Sequence, residues 1–315
     1  MNRRLFHAFA FVCGVWLSAA TSARGTILAY EPMNYTPGAY SPGTEPVSNA
    51  SGFSGQWRNV PPSGLLPFTI GAGSMSYTDG NSNVLPTSGN HFTAGQNRGM
   101  VNFDTSPTGP FGLAGLLDGA GNIGANGTTL YMSMILQNSA GSDGFSGALV
   151  YTDSDADTDA GVAIDLSDAN PPNTAGNHGL STDWYLDIYF HPPGGAEPDF
   201  SDSILAGPNG NQNFYVIRID FGPGNADTVR AYANPLLTAE PGTPDGMLTP
   251  TGDTDLSFDR IGLANFGGGV APFLVDEIRI GTSYADVTTF AAIPEPSAAL
   301  LMILAGSLAF SGRGR

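Results

Sequence analysis

Between residues 26 and 290, short runs of β-favouring residues are interrupted repeatedly by loops of Gly, Pro, Asn, Asp and Ser, and this rhythm decides what the chain can fold into. Gly supplies positive φ, Pro removes a donor, and Asn and Asp bond their own backbone, so each such cluster ends a regular element. With 43 Gly and 24 Pro in 315 residues, no stretch of this region sustains apolar residues at a helical period. Period two is present instead. Phe214, Val216 and Ile219 stand beside Tyr215, Arg218 and Asp220 with one slip, the pattern of a strand with one buried face. The same reading predicts strands at Thr26–Tyr30, Arg98–Phe103, Thr129–Gln137, Gly147–Thr152, Ala160–Leu166, Asp183–Phe190, Asn213–Phe221, Thr228–Ala233, Phe258–Asn265 and Phe273–Gly281. Many short strands joined by long turns predict an all-β, antiparallel sandwich or jelly roll. Segments 171–179, 192–198 and 235–252 read as surface excursions, because strand signals resume on both sides, and no internal repeat is present.

The two ends differ from this middle. Asn2-Arg3-Arg4 is a basic start, Leu5 to Ala20 is apolar, and Thr21-Ser22-Ala23 offers small residues for cleavage after Ala23, so residues 1–23 read as a signal peptide handled by the Sec machinery. The single cysteine, Cys13, lies inside that apolar run, which leaves the remaining chain without disulfides. Residues 24–291 are long enough to bury a large core without a staple. At the other end stand Pro294-Glu295-Pro296, an uncharged apolar run from Ser297 to Phe310, and Arg313 and Arg315. The prolines hold an extended segment. A helix over the 14 apolar positions reaches about 21 Å against roughly 30 Å of hydrocarbon, a marginal single transmembrane helix with the arginines snorkelling on the cytoplasmic side.

Residues 292–315 resemble the PEP-CTERM sorting signal of Gram-negative bacteria that make exopolysaccharide. Ile293 in place of the usual valine and a glycine within the arginine cluster are departures that remove no physical element. The resemblance implies export as a membrane-anchored precursor, processing by an exosortase, and a final place at the cell surface or in the extracellular matrix.

Every basic residue is an arginine, and the chain carries 11 of them against 28 acids, a net charge of −17. Setting aside Arg3, Arg4, Arg24, Arg313, Arg315 and Glu295 leaves the middle of the chain at about −21. A surface of that sign repels nucleic acid and disfavours it as a partner, whereas neutral glycans and divalent cations stay compatible.

Thr26-Ile27-Leu28-Ala29-Tyr30-Glu31, Phe273-Leu274-Val275-Asp276-Glu277-Ile278-Arg279-Ile280-Gly281 and the hairpin-like Asn213–Asn234 resemble the first, last and central strands of concanavalin A-like, laminin G-type jelly rolls. The resemblance implies that first and last strands lie side by side, with a structural calcium joined to an acid from each. Glu31 and Asp276 hold the comparable places, and backbone carbonyls and water would complete six to eight oxygen ligands. Asp276 accepting backbone hydrogen bonds beside a solvated Glu31 is the alternative. A second acidic group, Asp153, Asp155, Asp157 and Asp159, lacks the glycine and glutamate of an EF-hand, since Thr158 and Ile164 stand there. It reads as a solvated hairpin loop, with a weak extracellular calcium site as the alternative.

Catalytic signals are thin. The paired-glutamate string of jelly-roll glucanases does not occur, because Glu31, Glu45, Glu197, Glu240 and Glu277 are isolated from one another. A carboxylate pair assembled from separate strands stays open. His91, His178 and His191 have no metal spacing or nucleophile motif. Trp184-Tyr185 and Tyr189-Phe190-His191 alternate in one expected strand, so half should fill the core and the rest are free to stack on sugar rings. The expectation is a non-enzymatic, lectin-like surface protein associated with exopolysaccharide. A polysaccharide-cleaving glycoside hydrolase and a calcium-bridged structural adhesin are the alternatives.

Overall fold

The computed structural model describes residues 27–289 except 42, 49, 61–66, 95–97, 138–143, 152–160, 168–183, 192–198, 206–209, 225, 250–254 and 268–272. The acidic group at 153–159, the signal peptide and the sorting segment lie outside the described residues. Among the described residues, no helix is long and apolar enough to cross a membrane.

The strands are β1 (Ile27–Glu31), β2 (Gly38–Tyr40), β3 (Phe53–Val60), β4 (Phe68–Gly71), β5 (His91–Ala94), β6 (Arg98–Phe103), β7 (Thr129–Gln137) and β8 (Gly144–Tyr151). They continue as β9 (Gly161–Ser167), β10 (Trp184–His191), β11 (Asp199–Leu205), β12 (Asn213–Asp220), β13 (Thr228–Ala233), β14 (Gly246–Leu248), β15 (Arg260–Gly267) and β16 (Phe273–Gly281). Two short helices, α1 (Pro110–Leu113) and α2 (Tyr284–Thr288), complete the described elements. Ser283 starts α2 as a capping box, its hydroxyl and the Asp286 carboxylate each satisfying the other's backbone N–H.

Among the described residues every strand pairing is antiparallel, and the strands form two sheets. One has nine strands in the order β14-β13-β12-β7-β16-β5-β4-β2, with β1 also on β16; the other runs β11-β10-β9-β8-β15-β6-β3. The chain is therefore all-β, as its punctuation requires. β12 and β13 form the expected hairpin, and β1 lies beside β16, so first and last strands are neighbours.

A single apolar cluster fills the space between the sheets. Phe68, Phe92, Met132, Ile217 and Phe273 come from the nine-stranded sheet, and Trp57, Val101, Phe103, Val150 and Leu263 from the seven-stranded one. Their alternation along each strand is what puts polar residues on the outer faces. A second cluster lies on the outer side of the nine-stranded sheet, where Tyr131, Ile135, Phe214 and Val216 meet Met75, Tyr77, Leu237, Tyr284 and Val287. Segment 235–252 is thus no simple surface excursion: it contains β14, buries Leu237, and is bonded by Tyr77 Oη at Pro235 O and by Tyr284 Oη at Leu236 O. Apolar side chains at 237 and 248 give it a core-facing side that its Pro and Gly content masked.

Candidate functional site

Three rows of residues run across the outer face of the seven-stranded sheet, and strand register fixes them. Ala148, Val150, Ile261, Leu263, Val101 and Phe103 face the inter-sheet core, so their alternates belong to the opposite face. One row reads Asp202, Asp187, Asp165, Leu149, Gly262, Met100, Arg58, each directly opposite the next on β11, β10, β9, β8, β15, β6 and β3. The row beside it reads Phe200, Tyr189, Ala163, Tyr151, Arg260, Asn102 and Ser54. On the other side come Ile204, Tyr185, Ser167, Gly147, Ala264, Arg98 and Val60.

Alternation in β10 therefore separates its aromatics. Tyr185, Tyr189 and His191 hold outer-face positions, while Trp184 and Phe190 hold core-facing ones. Three aspartates stand opposite one another on adjacent strands, and three of the six arginines of the region lie at the other end of the same face. Arg58 donates to Asn102 Oδ1 at 2.7 Å, and Arg260, nearly buried, pairs with Asp259 at 2.7 Å. The aromatic positions were visible in the sequence. The aspartate row was not, because Asp165, Asp187 and Asp202 meet only through register.

Glu31 and Asp276 sit on paired strands but do not converge. Glu31 lies opposite Ile278, whose side chain is in the inter-sheet core. Its carboxylate accepts from Met33 N at 2.9 Å, Tyr35 Oη at 2.6 Å, Ser48 Oγ at 3.2 Å and Trp57 Nε1 at 3.2 Å. Burial raises its pKa above the ordinary value while these donors work in the other direction. Asp276 faces the outer side, where its Oδ2 accepts from Ser74 Oγ at 2.6 Å and Met75 N at 2.7 Å and its Oδ1 from Glu277 N at 2.8 Å. Burial pushes it up to about 7. The cause of the separation is a β-bulge. Register shifts between Asp276 and Arg279, and Glu277 takes φ 57, so Phe273 and Val275 face the core before it and Ile278 and Ile280 after it. Among the described residues no group of three or more His, Cys, Asp or Glu side chains is placed to hold a metal ion.

The bulge also builds a buried ion pair. Glu277, fully buried, receives Arg279 Nη2 at 2.7 Å, Tyr30 Oη at 3.0 Å and Ser88 N at 2.6 Å. Arg279 also donates to Pro86 O and to Thr289 O, tying the loop before β5 to the end of α2. On the neighbouring strands Glu240 accepts from Tyr131 Oη at 2.8 Å, Tyr232 Oη at 2.6 Å and Arg218 Nη1 at 3.0 Å, which pins segment 235–252 to the sheet. Burial works to raise Glu240, but the two tyrosines and Arg218 hold it below the usual carboxylate range. His91 packs its ring over Gly71 and shares a hydrogen bond of 2.7 Å with Gly73 O, a loop-holding role.

No protein-family model matches the chain, and no curated protein matches it. Among solved structures it is similar to an endo-β-1,4-glucuronan lyase from the fungus Trichoderma reesei, at 10% identity over 83% of this chain and 98% of that one, TM-score 0.42. It is also similar to an immunostimulatory antigen and pseudo β-1,3-glucanase of Mycobacterium tuberculosis, at 15% identity over 82% of this chain and 100% of that one, TM-score 0.39. A third likeness is to an endo-acting O-glycanase of human gut microbiota, at 10% identity over 82% of this chain and 99% of that one, TM-score 0.42. Likenesses at this level carry no argument about activity.

Proposed function

We propose that the chain is an exported, surface or matrix protein whose sandwich is a concanavalin A-like jelly roll and which binds a polysaccharide across the outer face of the seven-stranded sheet. The observation that carries this reading is the register that gathers Tyr185 and Tyr189 with Asp165, Asp187 and Asp202 on one face. Aromatic faces stack on the apolar faces of sugar rings, and carboxylates accept from sugar hydroxyls. Tyr185 and Tyr189 each lie two residues from Asp187 on one strand, so aromatic and acidic positions alternate along that face. A net charge of −17 favours a neutral glycan over an anionic one. The signal-peptide pattern at 1–23 and the Pro294-Glu295-Pro296 segment support export and exosortase sorting, from a membrane-anchored precursor to the cell surface of a Gram-negative-type bacterium. A glycan array probed with and without a chelator tests binding and its calcium dependence together. Loss of signal on chelation points to the aspartates at 153–159 and the adhesin alternative, and absence of any signal overturns the binding reading.

One observation favours a second reading. Directly opposed residues on antiparallel strands have Cβ atoms about 4.5–5.5 Å apart, and retaining glycosidases hold their two carboxyls about 5–5.5 Å apart. Asp165, Asp187 and Asp202 stand opposite one another in register, which brings three aspartate positions from separate strands together. Release of reducing sugar by the wild type, and its loss in Asp187→Asn, replaces the lectin-like reading with a hydrolase.

A further inference from the structure

At the far side of the molecule from the proposed face, the loop before β5 and the strand ends of the β12–β13 hairpin line an open surface depression of about 460 Å³. Among the described residues its lining is uncharged. Ser76, Thr78, Asn211, Gln212 and Asn234 supply hydroxyl and amide groups, and Tyr77, Gly80 and Asn213 complete the wall. In a chain with 28 acids and a net charge of −17, a depression whose described lining carries no carboxylate or guanidinium favours uncharged ligands.

The rim is held in place by bonds of its own. Asn234 takes φ 50, a left-handed conformation that Asn tolerates. Its Oδ1 accepts from Phe214 N at 2.9 Å, and its Nδ2 donates to Asn213 Oδ1 at 2.9 Å. Asn213 in turn donates to Asn211 O at 3.2 Å, and Gln212 Oε1 accepts from Ser76 N at 3.3 Å, which joins the two sides. Tyr77 is stacked on Phe214 with ring centroids 4.8 Å apart, and its hydroxyl donates to Pro235 O, which anchors the floor. The Gln212 Nε2 group, the Asn211 amide and the Ser76 and Thr78 hydroxyls belong to exposed residues along the opening. Amides and hydroxyls each offer both donor and acceptor, which matches ligands whose groups are hydroxyls. Ligand pockets commonly span about 300–1,000 Å³ and are mostly apolar, so a polar depression of this size fits a small polyhydroxylated molecule better than an apolar one.

We propose that this depression is a second binding site, separate from the outer face of the seven-stranded sheet, for one neutral sugar unit. The test is saturation-transfer NMR on the full chain with methyl α-D-glucoside, methyl α-D-galactoside, methyl α-D-mannoside and glucuronate as probes. At least one neutral glycoside binds weakly, and the Asn211→Ala/Gln212→Ala double variant weakens it by about tenfold or more, the loss expected from roughly one or two hydrogen bonds. Both residues are exposed, but Gln212 also accepts from Ser76 N, so Asn211→Ala is measured by itself as the variant that leaves that rim bond in place. Tyr185→Ala/Tyr189→Ala leaves this binding intact, which separates it from the sheet face. The proposal is overturned if no neutral glycoside binds, if the double variant binds as the wild type does, or if glucuronate binds as strongly as the neutral probes.

Discussion

Asp276 makes stability depend on pH in a direction opposite to that of most paired carboxylates. It is fully buried, and burial raises its pKa from 3.8 to about 7. A group raised in the fold contributes stability that is complete below its unfolded pKa and is lost as pH rises through its folded pKa. The window is therefore about pH 4 to 7. About 3 units at 1.36 kcal/mol each give a loss of about 4 kcal/mol overall, of which about 3 falls between pH 4.5 and 8.5. Asp276→Asn cannot titrate, but its amide must set an N–H against either Glu277 N or Met75 N, at a cost of about 1–3 kcal/mol. Urea unfolding of both proteins should thus show the variant less stable at pH 4.5 and level with, or above, the wild type at pH 8.5. Glu31 and Asp227 are also raised by burial, whereas Asp79, Asp118, Asp220 and Glu240 are lowered and act at acid pH. Those groups are common to both proteins and cancel in the difference. A difference between wild type and variant that does not change with pH refutes the reasoning.

Further outcomes follow from the other buried groups. Glu277→Ala strands the Arg279 guanidinium in the interior and should cost about 3–5 kcal/mol in urea unfolding, and because alanine keeps a Cβ it leaves the positive-φ strain in place. Trp57→Phe keeps the core filled but withdraws one donor from Glu31, for a loss of about 1–3 kcal/mol. Replacing Pro294-Glu295-Pro296 by three alanines should leave an unprocessed, membrane-retained precursor on immunoblots of fractionated cells, against release of the wild type.

The ten strands expected from sequence are runs of β-favouring residues between turn clusters, legible even where a bulge interrupts the alternation as in β16, and β6, β7, β13 and β16 match their expected limits. Those that escaped have physical reasons. In β3 the register shifts between Ser54 and Arg58, and Gly55, at φ 81, stands between the buried Phe53 and Trp57 where an apolar side chain would have completed the alternation. β2 and β14 have three residues each, too few to show a period. β11, an edge strand, reads Asp199-Phe200-Ser201-Asp202-Ser203-Ile204-Leu205, where aspartates and serines interrupt any apolar alternation. The same limits apply to function. Aromatic alternation in β10 is a local property and could be read, but which aspartates stand opposite Asp187 depends on the register of β9 and β11, which loops of that length do not encode. The side-by-side placement of Glu31 and Asp276 strands was foreseeable, whereas the bulge at Glu277 that turns their carboxylates to opposite faces was not.

The central claim is that the outer face of the seven-stranded sheet holds a polysaccharide. Isothermal titration of the full chain with the strongest glycan from the array, beside Tyr185→Ala/Tyr189→Ala, tests it most directly. Loss of about 1–3 kcal/mol of binding free energy, roughly a ten- to hundredfold weakening, with an unchanged melting temperature is the predicted result. Equal affinity in the two proteins contradicts the account.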